Sequence, residues 1–193
     1  MPLKTPKFFG RQSELEQISK YLHDGSKGRK MIVLKGLGGF GKTQLALHYW
    51  TREAENYTSR IWIDATSVET ALESFKEIAA KLGHLMPSAS SSPTSVAAAS
   101  KIIMAKVNRW LSHPSNDKWL LVIDNVEDLD GEIHIQGLLP SCEHGSIIIT
   151  TTQAETASIL ESESLEVPGM GVEAGAELLL HRFRMKTPSD ESE

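Results

Sequence analysis

The chain has 193 residues, enough for one α/β core, and its 20 Lys plus Arg against 25 Asp plus Glu leave a formal charge of -5. That balance provides no overall positive field to draw in a nucleic-acid backbone, which argues against broad DNA or RNA binding. The lone Cys142 cannot close an internal disulfide, Met1-Pro2-Leu3-Lys4 lacks a secretory apolar stretch, and no apolar run nears the roughly 20 residues that span a bilayer, so a cytoplasmic protein without a membrane partner is expected.

In chain order, residues 1–30 read as an N-terminal segment with a helix, residues 31–186 as the core, and residues 187–193, polar and acidic, as a disordered tail. Strands are predicted at 31–35, 60–64, 119–124, 146–151 and 165–167. The runs at 31–34, 119–123 and 147–149 are apolar without alternation, as strands covered on both faces of a parallel sheet are. Helical spacing runs over 43–54, 68–82, 95–111 and 172–186, and Gly83 is a natural stop for the second of these. The stretch 87–95, nearly all Ser, Ala, Pro and Thr, reads as unstructured. Strands alternating with helices predict an α/β fold: a doubly wound parallel sheet of about five strands.

Directly after the first strand, Gly36-Leu37-Gly38-Gly39-Phe40-Gly41-Lys42-Thr43 satisfies the G-x-x-x-x-G-K-[ST] pattern of a phosphate loop. Gly36, Gly38, Gly39 and Gly41 let the backbone curl so that amide N–H groups point inward at phosphate oxygens. The helix beginning at Lys42 adds its positive end, Lys42 adds a point charge, and the Thr43 hydroxyl is a hard oxygen suited to magnesium. The same letters also satisfy G-x-G-x-x-G through Gly36, Gly38 and Gly41, with Asp64 ending the second strand where a dinucleotide fold would hold a ribose. That rival leaves Lys42-Thr43 unexplained, whereas the phosphate-loop reading requires an acid on the third strand. Trp119-Leu120-Leu121-Val122-Ile123-Asp124 supplies it in the Walker B arrangement, whose carboxylate reaches the magnesium shell; the plainer reading makes Asp124 the start of a turn. No N-K-x-D run is present to read guanine; this absence, with the resemblance that follows, favours ATP or ADP.

Several further runs resemble one family. Phe8-Phe9-Gly10-Arg11 with Ser13-Glu14-Leu15-Glu16 is similar to the hhGRxxE element of the NB-ARC domains in STAND-class P-loop ATPases. Arg60-Ile61-Trp62-Ile63-Asp64 looks like that family's second strand, Leu120 to Val126 like its hhhhDDV motif, and Gly145-Ser146-Ile147-Ile148-Ile149-Thr150-Thr151 like its GSxIIxTT sensor strand. The nearest flavour is that of fungal NOD-like receptors, where Ile-Asp-Asn-Val-Glu-Asp and Trp-Ile-Asp-Ala runs occur. The resemblance implies that Phe9 and Arg11 line the adenine side and that Gly36 to Thr43, including Phe40, hold the phosphates with Gln44 beside them. It makes Lys42 and Asp124 the catalytic pair and has Thr43 and Asp124 order magnesium. It implies a signalling switch of innate immunity and programmed cell death: ADP holds a closed form, ATP opens it, and the full-length receptor self-associates. An ordinary turnover ATPase is the alternative. Phe8 and Phe9 also fit a simpler role, anchoring the N-terminal segment to the core.

Three departures accompany the resemblance. Asn125 replaces the second acid, and an amide cannot accept a proton near neutral pH, so hydrolysis is expected to be slow or absent. Glu127 and Asp128 follow closely as substitutes, or as solvated turn residues. Thr152 and Gln153 stand where the family commonly has an Arg that reads the γ-phosphate. The family's helical and winged-helix modules, with their GLPL and MHD signatures, do not follow Lys186, so the chain reads as a core domain of a larger receptor. The seven histidines are scattered, Cys142 and His144 lack two further ligands at zinc spacing, His48 and His181 fit packing roles, and Lys27, Arg29 and Lys30 read as a solvated basic face.

Overall fold

Five strands form the sheet in the computed structural model: β1 (Lys30–Lys35), β2 (Ser59–Asp64), β3 (Trp119–Val126), β4 (Ser146–Thr151) and β5 (Glu163–Glu166). All pairings are parallel, in the order β2-β3-β4-β1-β5. The helices are α1 (Gln12–Leu22), α2 (Lys42–Arg52), α3 (Val68–Lys81), α4 (Val96–Leu111), the short α5 (Ile135–Leu138) and α6 (Thr156–Ile159), and α7 (Val172–Arg184). The structure describes residues 8–82, 96–127 and 135–184. The Gly83 stop, the stretch 87–95, Asp128 and the tail 187–193 lie outside them.

Alternate residues of β1, β3 and β4 feed opposite cores, which is why these central strands carry no polar face, whereas the edge strand β5 is polar and part-exposed. Val33, Ile63, Leu121, Ile123, Ile147 and Ile149 pack with Phe75, Val107 and Leu111 of α3 and α4. On the other face Ile32, Leu34, Leu120, Val122 and Ile148 meet Leu15 and Ile18 of α1 and Leu45, Leu47 and Tyr49 of α2. The α3 start is sealed by a capping box: the Thr70 amide donates to Ser67 Oγ at 3.2 Å and the Ser67 amide to Thr70 Oγ1 at 3.0 Å. No helix among the described residues is long and apolar enough to cross a membrane.

Several boundaries differ from the sequence expectation. The fifth strand lies at Glu163–Glu166 rather than 165–167; Val167 is just past it, buried, with its amide donating to Lys35 O at 2.8 Å. Helix α2 ends at Arg52, where the chain turns into a 3-10 segment, Ala54–Asn56. Strand β3 continues beyond Asp124 through a bulge: Ile123 faces Ile149 and Val126 faces Thr151, so Asp124 and Asn125 together oppose Thr150. Asn125 adopts φ +64°, which Asn accepts more readily than most residues.

The strand order overturns the dinucleotide alternative. A dinucleotide fold sets its second strand beside its first, but here β3 and β4 both lie between β1 and β2. Asp64 is remote from the glycine loop and instead caps its own turn, accepting from the Thr66 amide at 3.1 Å and the Thr66 hydroxyl at 2.5 Å. At the opposite end of the sheet the chain enters β4 through Gly145, at φ +85°, where a Cβ would lie 2.3 Å from the ring of fully buried Trp119. The indole Nε1 of Trp119 donates to Leu111 O at 2.9 Å, which fixes the ring in that position.

Candidate functional site: a glycine loop and a buried acid

The loop between β1 and α2 explains its glycines one by one. At Gly36 a Cβ would stand 2.5 Å from Val167 O, so packing against the chain leaving β5 demands glycine. Gly39 and Gly41 take φ +79° and +88°, a conformation costly for other residues. Gly38 has neither reason: its φ is ordinary and nothing lies within 4 Å of where a Cβ would project. The same open space faces Gly39 and Gly41, and together they form a backbone concavity of the kind that accepts phosphate oxygens. Helix α2 starts at that concavity with Gly41 as N-cap, no side-chain cap bond and no acid in its first turn, so its positive end is uncompensated.

Lys42 is only 7% exposed, and its ammonium donates to Gly36 O at 2.7 Å and Leu37 O at 3.0 Å. Burial pulls its pKa below that of an ordinary lysine, against the opposing pull of Glu127 and Asp124. Asp124, also 7% exposed, has one oxygen that accepts from Thr43 Oγ1 at 2.8 Å and from Thr150 Oγ1 at 2.6 Å. Burial pushes this carboxyl above the usual aspartate value, and the nearby charge of Asp64 adds to that; the Thr150 and Thr43 hydroxyls and Lys42 offset it only in part. Two buried groups of opposite sign are thus each held short of full charge compensation. A polyanion beside Lys42 and a divalent cation between Thr43 and Asp124, both hard oxygen donors, fit that deficit. Magnesium would be held by those two side chains.

Asp124 therefore burdens the ligand-free fold. A carboxyl whose folded pKa is raised contributes stability that is complete below its ordinary value of 3.8 and lost as pH rises through the folded value. At pH 7.5 Asp124→Asn, whose amide oxygen still accepts from both threonines, should raise the ligand-free melting midpoint by about 1 to 3 °C. Magnesium added to the ADP-saturated variant should then give no further rise, in contrast to the parent; an equal magnesium increment in both proteins would remove Asp124 from the cation's shell.

The adenine-side candidates lie along a seam. Arg11, at φ +63°, caps α1 and spends its guanidinium on Glu14 at 2.8 Å, on Phe40 O of the glycine loop at 3.1 Å, and on Pro168 O in the chain between β5 and α7. Phe9 is buried with its ring edge-on to His181 of α7 at 5.4 Å, while Phe8 stacks on His48 of α2 at 4.2 Å. The Phe40 ring faces Gly169, and Gln44 is half-buried in the first turn of α2. The structure thus gathers Lys42, Thr43 and Asp124 around the glycine loop and sets Phe9 and Arg11 where the N-terminal segment, the loop and α7 meet.

Elsewhere the tempting residues are engaged in packing. Cys142 Sγ lies 3.9 Å and His144 Nε2 3.0 Å from the same Leu111 carbonyl. Arg29 donates to Pro140 O, and Lys30 pairs with Asp24 at 2.7 Å. Two features went unread in the sequence. Thr150 is the strut of Asp124, and Thr152 donates to the Glu127 carboxylate, linking the chain after β4 to the chain after β3. Their signal was the run of three threonines, Thr150 to Thr152, ending a buried strand.

A glycine loop feeding a helix, an invading lysine and an acid one strand beyond the neighbouring strand define a P-loop nucleotide-binding domain. The NB-ARC domain family matches residues 11–182, and the chain belongs to that family. It is similar to a nucleotide-binding leucine-rich repeat (NLR)-like protein of Hyaloscypha variabilis, with 26% identity over 85% of this chain and 19% of that protein. Among solved structures it resembles the Aeropyrum pernix ORC2 protein, in ADPNP-ADP complexes, with TM-score 0.58, 15% identity, and coverage of 95% of this chain and 54% of that one. The Cdc6p structure from Pyrobaculum aerophilum has TM-score 0.58 and 15% identity, over 94% of this chain and 52% of the other. The chain spans about a fifth of the NLR-like protein and about half of each archaeal structure.

Proposed function

We propose that this chain is the adenine-nucleotide-binding unit of a larger NLR-type signalling protein, a switch whose ligand is ADP or ATP with magnesium and whose turnover is slow. The observation that carries the reading is the bond from Thr43 to Asp124, set beside a buried Lys42 and a vacant-faced glycine loop. The family membership, the ADPNP and ADP held by the ORC2 protein, and the much greater length of the NLR-like relative support it. Bound nucleotide supplies the polyphosphate and magnesium the divalent charge. The chain's own residues do the rest: loop amides and the α2 start hold the phosphates, Lys42 neutralises the terminal ones, and Asp124 and Thr43 present oxygens to the cation.

Switching requires the ligand to bind two conformations unequally, since a ligand shifts an equilibrium only by that difference. The residues spanning the loop and α7, Phe9 and Arg11, are the route by which occupancy would reach other domains and promote self-association. The free thiol of Cys142 suits the reducing cytoplasm where such a receptor would work.

The mass of whatever small molecule leaves the purified protein on denaturation tests the ligand. An adenine nucleotide is expected, at a substantial fraction of one per chain. No co-purifying nucleotide, together with no heat of binding for ADP or ATP, would refute the proposal. Phosphate release by the isolated domain should stay well under one per second; several per second would favour a turnover enzyme.

A further inference from the structure

The two departures at positions 125 and 152 meet at a single carboxylate. Asn125 occupies the residue after the magnesium acid, but the β3 bulge turns it aside: its amide donates to Thr66 Oγ1 at 3.1 Å, beside Asp64 at the far edge of the sheet. The Asn125 side chain therefore faces β2, while its main-chain N–H donates to Thr150 Oγ1 at 2.8 Å, and β4 stands between its own strand and the one that feeds the phosphate loop. Replacing the amide there by an acid would not bring a carboxylate to the phosphates.

Glu127 lies on the other side of that bulge. Its carboxylate accepts a hydrogen bond from the Thr152 hydroxyl, and its main-chain oxygen accepts from Gln153 Nε2 at 2.6 Å. Both donors follow β4, which is the direct neighbour of β1. Glu127 thus has a double fastening on the phosphate-loop side of the acid strand, and the side chain is half-buried rather than loose in solvent. It is also close enough for its charge to act on the Lys42 ammonium, as that of Asp124 does.

We infer that Glu127 is the residue that orients and deprotonates the attacking water in ATP hydrolysis, and that Thr152 is a positioning residue that holds the Glu127 carboxylate for that task. The inference rests on the adenine-nucleotide reading above. Water attacks the γ-phosphorus as the bond from that phosphorus to the β,γ-bridging oxygen breaks; the water proton passes to the Glu127 carboxylate and on to solvent. ADP, inorganic phosphate and one proton are the products. A carboxylate fastened by one hydroxyl, displaced from the end of the strand by a bulge, is a weaker arrangement than an acid within the strand. Slow turnover follows without its being abolished.

Four variants of the 193-residue chain test this, each measured for single-turnover phosphate release and for the nucleotide it retains on purification. Glu127→Gln should release phosphate at least about tenfold more slowly than the parent. Its bound pool should shift from ADP toward ATP, while its melting shift with ADP stays within about 2 °C of the parent's. Thr152→Val should lose part of the rate and Thr152→Ser recover it, since serine restores the hydroxyl. Asn125→Asp should leave the rate within about twofold. The inference is overturned if Glu127→Gln matches the parent in rate and retained nucleotide, if Asn125→Asp raises the rate tenfold, or if the parent releases no phosphate above the buffer blank. A parent that gives no melting shift with any adenine nucleotide overturns instead the binding reading beneath it.

Discussion

Lys42→Ala should erase the thermal signature of nucleotide binding. In the parent, ADP or Mg-ATP at 100 times its dissociation constant adds about 2.7 kcal/mol to folding stability. A domain of this size gains roughly 2 to 4 °C in midpoint per kcal/mol, so a shift on the order of 5 to 10 °C is expected. NADH at the same concentration should give almost none, because the strand order puts Asp64 far from the loop. In the variant the adenine-nucleotide shift should fall below about 2 °C at the same ligand concentration, since a buried ammonium beside a polyphosphate contributes several-fold more than a surface charge. The ligand-free midpoint should move little. Lys42 gives up two hydrogen bonds to loop carbonyls, but its burial also disfavours its charge, and the two losses oppose each other. Differential scanning fluorimetry against a ligand titration is sufficient, and an undiminished shift in Lys42→Ala would contradict the role assigned to that side chain.

Gly145→Ala should cause the largest loss of stability, and it lies at the end of the sheet away from the ligand. The added methyl would meet three ring atoms of Trp119 at 2.3 to 2.5 Å, far inside contact distance, at a backbone φ of +85° that already disfavours alanine. Trp119 is fully buried and tied by its indole N–H to Leu111 O, so its ring cannot swing aside without losing that bond and its packing on β3 and α4. Overpacking and backbone strain together should cost about 3 kcal/mol or more, a midpoint drop of roughly 6 to 12 °C. Chemical denaturation in urea measures it directly. A loss under about 1 kcal/mol would mean that the strand entry relaxes freely, and Trp119 is not the rigid wall described. The ADP-induced increment should survive in this variant, which separates folding from binding.

The frame of the molecule was legible because its central strands are covered on both faces. Ile147 to Ile149 and Leu120 to Ile123 carry no polar residue to interrupt them, and such runs announce a parallel sheet. The glycine loop with Lys42 and Thr43 was equally plain, since its spacing follows from the geometry of amides around an oxyanion. Strand β5 begins two residues before its predicted start, where Glu163 and Ser164 give no apolar signal, and ends one residue before its predicted end, because Val167, though buried, is held by one bond to Lys35 O after pairing has ended. The relation among Asp124, Asn125 and Glu127 was hidden for a different reason: a bulge has no letter of its own, yet it reverses which side of β3 each of these residues serves. Arg11 was similarly opaque. Nothing in its neighbours along the chain reveals that its guanidinium would meet carbonyls 29 and 157 residues away.

That guanidinium has a mechanical consequence. A planar, always charged fork grips the peptide just ahead of Gly41 and, with the same nitrogen, the peptide that leads out of β5 toward α7. It works as a rivet through separate plates: the exit chain cannot be displaced from the glycine loop without breaking one of these two bonds or carrying the loop along with it.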